Sequence, residues 1–202
     1  MTAPLPAATP VAPRRLHVHQ KITPLQNVYR VFADEGGNPG TLVGVVKQKR
    51  MALREQFTVF SDEGATLPVM GIKADRRIDI RSAMTVTDAQ GHVLGQLRKR
   101  GASSILRSTW EVEQPGVPVI TVTERSLLVA LLRRFWGMIP VVGEVPVPWV
   151  FHFDGFIGDH KVLSHSRTWG IRDRYVMELY APELDWRLSV ALAICLDAMQ
   201  HR

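Results

Sequence analysis

The strongest constraint on this chain is its last long stretch, Leu184 to Gln200, LDWRLSVALAICLDAMQ. Pro182 and Asp185 are helix-start signals, and between Leu188 and Met199 only Ser189 and Asp197 are polar. The apolar residues there fall on every side of a 3.6-residue helix, so protein or lipid must surround it. At about 1.5 Å per residue the apolar run is about 18 Å long, short of the roughly 30 Å hydrocarbon core of a bilayer. The sequence therefore predicts a helix enclosed by the rest of the protein.

The preceding text supplies material for that enclosure. Short apolar-alternating runs predict strands at Val28–Phe32, Leu42–Val46, Phe57–Phe60, Val69–Lys73, Arg77–Arg81, Met84–Thr87, His92–Lys99, Ser108–Val112 and Val117–Val122. Further strands are read at Val150–Asp154, Val162–Arg167 and Tyr175–Tyr180. Turn-forming segments such as DEGGNPG, SDEGATLP and DAQG separate them. Period-two alternation with a turn every 8–12 residues marks an antiparallel sandwich or barrel. With one wholly apolar helix to cover, the expectation is an all-β closed barrel wrapped around the 184–200 helix, which also leaves no exposed sheet edge.

Residues 1–15 hold four of the thirteen prolines and no periodicity, and read as a disordered tail before a single domain over 16–202. No apolar signal segment opens the chain, which makes a cytoplasmic location, with peripheral membrane contact, the expectation. Cys195, the sole cysteine, lies inside the apolar helix and is read as a packed thiol. The 126–136 segment, SLLVALLRRFW, breaks the strand rhythm with Leu128, Leu131, Leu132 and Phe135 at helical spacing. It either caps the barrel or lies in a membrane interface with Leu128, Leu132, Arg133, Arg134, Phe135 and Trp136 as contacts.

Three stretches carry a family resemblance: VVKQKRMALREQFTVFSDEG (Val45–Gly64), MTVTDAQGHVLGQLRKR (Met84–Arg100) and RDRYVMELYAPELDWRLSVALAICLDAMQ (Arg172–Gln200). They resemble the LURP-one-related (LOR) family, grouped with phospholipid scramblases and Tubby C-terminal domains. The resemblance implies a twelve-stranded barrel around a buried C-terminal helix. It also implies a link to membrane phospholipid, without pointing to particular headgroup-binding residues.

The charge balance, 25 Lys and Arg against 19 Asp and Glu for a net of +6, favours an anionic partner. If Met84–Thr87 pairs with His92–Lys99 across the turn at residues 88–91, Arg81 falls near Lys99 and Ile80 near Arg100. Lys73, Arg76, Arg77, Arg81, Arg98, Lys99 and Arg100 then gather near Asp75 and Asp79 as a candidate headgroup site, through charge-assisted Arg contacts. The same cations would equally serve as a solvated edge that discourages aggregation. Lys47, Lys49, Arg50 and Arg54 form a second basic group. His152, Asp154, His160 and His165 match no metal-site spacing, and Arg172-Asp173-Arg174-Tyr175 reads as a local ion pair. Asp197 must reach the barrel mouth or a buried partner such as a strand arginine. No G-x-S-x-G, P-loop, strand-linked G-x-G-x-x-G or Cys-x-x-Cys occurs, and few aromatics interleave with the cations.

The sequence thus leans away from an enzyme, a cofactor, a metal and a nucleic-acid partner. It favours a non-enzymatic binding domain for anionic phospholipid at a membrane surface. The alternative is a structural or protein-interaction module without lipid contact, and an enzyme acting on a lipid comes third.

Overall fold

The computed structural model describes residues 14–22, 26–49, 56–74, 83–100, 109–125, 152–168 and 174–200. Twelve antiparallel strands form a closed barrel: β1 Arg15–Ile22, β2 Gln26–Glu35, β3 Asn38–Lys49, β4 Gln56–Phe60, β5 Pro68–Ala74 and β6 Met84–Asp88 come first. They are followed by β7 Val93–Lys99, β8 Thr109–Gln114, β9 Val117–Glu124, β10 His152–Ile157, β11 His160–Thr168 and β12 Arg174–Leu179. Every strand pairs with its chain neighbours, and β1 pairs with β12 to complete the ring. Closure gives every strand a neighbour on both sides, although β3 and β4 pair only at Val45 and Phe60 among the described residues. The helix α1, Trp186–Gln200, runs through the centre.

The reason for this arrangement is in the side chains. Inward positions alternate along the strands, for example Leu16 and Val18 on β1, Tyr29 and Val31 on β2, and Tyr175, Met177 and Leu179 on β12, and all are buried. They close on a helix buried on every side: Val190, Ala191, Leu192, Ala193, Ile194, Cys195 and Leu196 are each at most 4% exposed. The all-round apolar pattern is therefore core, as expected. Gly95 shows how tightly the wall meets the helix, because a side chain there would run into the Glu113 carbonyl and Leu188.

One strand was not foreseen, and one reading falls outside the described residues. LHVHQKI is β1, missed because Gln20 occupies an inward position and two histidines interrupt the apolar signal. The strand read at Arg77–Arg81 lies outside the described residues. In the β6–β7 hairpin a β-bulge between Val86 and Thr87 sets Met84 opposite Leu97, one residue beyond an unbroken pairing. The premise that put Arg81 beside Lys99 is therefore corrected by one residue.

A meander of antiparallel strands sends successive connections to alternate ends. One end, here the turn end, carries the tight connections at residues 36–37, 61–67, 89–92, 115–116 and 158–159, and it is where α1 begins. The other, the far end, receives the connections containing residues 23–25, 50–55, 75–82, 101–108, 126–151 and 169–173. The C-terminal part of α1 points to it.

Candidate anion-binding surface

The far end is where the candidate cations meet the fold. Lys73 lies near the end of β5, and Arg98 and Lys99 close β7 with Arg100 just beyond. Arg76, Arg77, Arg81, Arg50, Arg54 and the 126–136 segment (Leu128, Leu132, Arg133, Arg134, Phe135 and Trp136) lie outside the described residues, in chain that joins strands at this same end. The four described cations do not share one face. Lys73, Arg98 and Arg100 are exposed, whereas Lys99 is half-buried and opposite Trp110, on the same alternation as the inward Leu97.

Strand pairing also brings acids that sequence order conceals. Arg98 lies opposite Glu111, and Gln96 opposite Glu113. Arg100 Nε is 2.9 Å from Glu111 Oε1, and Arg98 Nη1 is 3.9 Å from Glu113 Oε1. Half-exposed pairs of this kind contribute little stability, but they offset part of the positive charge. Lys73 makes no ion pair among the described residues.

Behind the far end, inside the barrel, Asp197 is 3% exposed. Tyr175 donates to its Oδ1 at 2.6 Å; Tyr29 and the Gln20 amide donate to its Oδ2 at 2.5 and 2.7 Å. The buried partners come from β1, β2 and β12, and Gln20 also donates to the Tyr29 hydroxyl at 3.2 Å. His165 stacks on Tyr175 with ring centroids 5.1 Å apart, and neither ring nitrogen has a hydrogen-bond partner. Burial pushes its pKa down to about 4, against an opposing pull from Asp197.

The histidines and Asp154 do not converge. His165 faces the interior, while Asp154 lies on the outer wall, where Arg125 forks onto it at 2.7 and 2.8 Å and Lys161 Nζ approaches to 2.7 Å. His160 is exposed at a turn. Among the described residues no three His, Cys, Asp or Glu side chains are grouped to hold a metal ion. Arg172 and Asp173 lie outside the described residues; Arg174 and Tyr175 take opposite faces of β12, outward and inward.

A closed twelve-stranded barrel threaded by one apolar C-terminal helix defines the class of protein. The LURP-one-related family model matches residues 42–197, so the chain belongs to the LURP-one-related family. A further match is to a protein described as an amino-acid acetyltransferase from Vibrio atlanticus (strain LGP32), 36% identical over 118 residues. That match takes in 55% of this chain, and the chain spans 26% of that protein's length. Among the described residues no helix is long and apolar enough to cross a membrane.

Proposed function

We propose that this domain is a non-enzymatic binding module that contacts anionic phospholipid at a membrane surface with the far end of its barrel. What supports this reading is the basic character of that end among the described residues, together with the basic and apolar sequence of the segments that connect strands there. Lys73, Arg98, Lys99 and Arg100 stand on strands that finish at this end, and Arg76, Arg77 and Arg81 fall in the connection between β5 and β6. Leu128, Leu132, Phe135 and Trp136, with Arg133 and Arg134, fall in the connection between β9 and β10 at the same end. Cations beside an apolar, aromatic-containing segment suit a surface that meets headgroups and the acyl boundary together. A cytoplasmic, peripheral location follows from the same reading.

Co-sedimentation with phosphatidylcholine vesicles, with and without phosphatidylserine, tests it. Binding only to the anionic vesicles, falling steeply with salt, is the expected result. Equal binding to both, or to neither, removes the electrostatic reading. The pairing of Arg98 and Arg100 with Glu113 and Glu111 favours a second reading, a protein-interaction module whose basic edge is largely neutralised. The named activity of the Vibrio protein is not carried over, because the chain matches only a minor part of it.

A further inference from the structure

Most cations on the described outer wall are already paired. Arg15 lies near Asp34 and Glu178, Arg30 forks onto Glu63, Arg125 and Lys161 hold Asp154, and Arg187 holds Asp185. Arg174 and Lys21 differ, since both are exposed and neither is in an ion pair among the described residues. The fold brings them together. His19 lies directly opposite Arg174 across the β1–β12 ladder, and Lys21 lies two residues further along the same outward face, about 7 Å on. Inward Leu16, Val18 and Gln20 fix that alternation. On the other side of Arg174, Thr168 pairs with it and donates its hydroxyl to the Arg174 carbonyl at 3.0 Å.

We propose that the outer wall of β1 and β12 at the far end is an oxyanion site for a phosphate-class group, formed by Arg174, Lys21 and His19. The Arg174 guanidinium can present two parallel N–H donors to two phosphate oxygens, Lys21 a further cationic donor, and His19 one ring N–H. His19 is half-buried with its ring tilted against Phe32 at 5.2 Å, so its place between the two cations is held by packing. Burial first, then the neighbouring Arg174 and His17, lowers its pKa. Among the described residues, the carboxylates around this wall are engaged with other groups, Glu63 with Arg30, which lies opposite His19. Asp34 is opposite Arg15 at the turn end, about 14 Å along the strand from His19, and bonded to His17 at 2.6 Å; Glu178 accepts from Tyr180 at 2.8 Å. Two cations so placed repel one another, and a dianion bound between them attracts both and outweighs that repulsion.

This site does not depend on the membrane reading, since free phosphate and a lipid phosphate present the same chemistry. The test uses the full ¹⁵N-labelled chain titrated with inorganic phosphate at constant ionic strength, with chloride as the reference. Saturable amide shifts centred on His19, Lys21 and Arg174 are expected. The Lys21→Gln/Arg174→Gln variant should bind phosphate at least about tenfold more weakly, and Lys161→Gln, at the turn end, should leave it unchanged. Phosphatidylcholine vesicles with and without phosphatidic acid separate the sources. Loss of vesicle and phosphate binding together in the Lys21/Arg174 variant makes a headgroup the ligand; loss of phosphate binding alone makes it a free phosphate. Shifts that map elsewhere, shifts that chloride reproduces, or a phosphate affinity indifferent to Lys21 and Arg174 would overturn the proposal.

Discussion

The two ends of the barrel are held by different chemistry. At the turn end, aspartates accept hydrogen bonds from the amides of their own turns: Asp34 from Gly37 at 3.0 Å, Asp62 from Thr66 and Leu67 at 2.9 and 2.8 Å, and Asp88 from Gln90 and His92, both at 2.9 Å. Each bond spans only two to five residues, and Gly91 and Gly116 supply the positive φ that their hairpins need. Inside the far end, Asp197 is held by Tyr175, Tyr29 and Gln20, which are 22, 168 and 177 residues away in the chain. One end is therefore built from local rules. The other exists only once the barrel has closed.

The largest effect expected probes the helix that links the two. Val190→Asp places a charge at a fully buried apolar site in α1. That should cost more than about 4 kcal/mol and abolish the folded state, read as loss of the cooperative thermal transition by circular dichroism. A folded Val190→Asp variant would remove the central helix from the core. Asp197→Ala comes next, because it removes one shared acceptor from the Tyr29 and Tyr175 hydroxyls and the Gln20 amide at once. A loss of about 3 kcal/mol in urea unfolding is expected, and Tyr175→Phe should cost about 1 kcal/mol. If Asp197→Ala were neutral, the far end would owe nothing to its buried network.

The ends should also respond to acid in separate windows. Burial holds the His165 pKa at about 4 in the fold, against 6.5 for an ordinary histidine. Between those values the unfolded chain binds a proton that the folded chain does not. The contribution is therefore complete above pH 6.5 and is lost as the pH falls towards about 4, amounting to about 3 kcal/mol. Burial also lowers the pKa values of His19 and His152, which act in the same direction. At the turn end the sign is the same but the window lies lower. The His17 bond lowers the pKa of Asp34, the Leu67 amide that of Asp62 and the His92 bond that of Asp88. Their contribution persists above the ordinary carboxylate value of 3.8 and is lost only as the pH falls below it. Urea unfolding followed from about pH 7 downward should show the first loss, and His165→Phe should flatten it without moving the second. An unchanged upper slope would detach that window from the buried ring.

What could be read in advance follows the same division. The helix was legible because Val190, Leu192, Ile194 and Leu196 are apolar in different directions, and only an enclosing core satisfies that pattern. Most strands and turns were legible through alternation and through segments such as DEGG and DAQG. β1 was not, because Gln20 faces inward and looks polar until Asp197 and Tyr29 are seen to receive it. Asp197 itself announced the need for a partner but could not name one 168 residues away. The candidate surface was legible as a cluster of cations by proximity along the chain. Its neutralising Glu111 and Glu113 depend on the β7–β8 register, and the junction of His19, Lys21 and Arg174 depends on barrel closure.

The smallest effect expected lies where the helix begins. Gln114, at the end of β8, donates its amide to the Glu183 carbonyl at 2.8 Å and accepts the Asp185 amide at 3.0 Å. Asp185 then accepts the Arg187 amide at 2.9 Å, capping the first turn of α1. One strand side chain thus fixes the height at which the chain turns into the barrel. Gln114→Ala removes both bonds, but water can reach these groups, so the cost should stay below about 1 kcal/mol. Its signature is local: faster amide exchange at Asp185 and Arg187, with exchange near Ile194 and Cys195 following only the global change. Equal acceleration along the whole helix would mean that the start of α1 and its buried centre open as one unit, and the two ends would then be energetically indistinct.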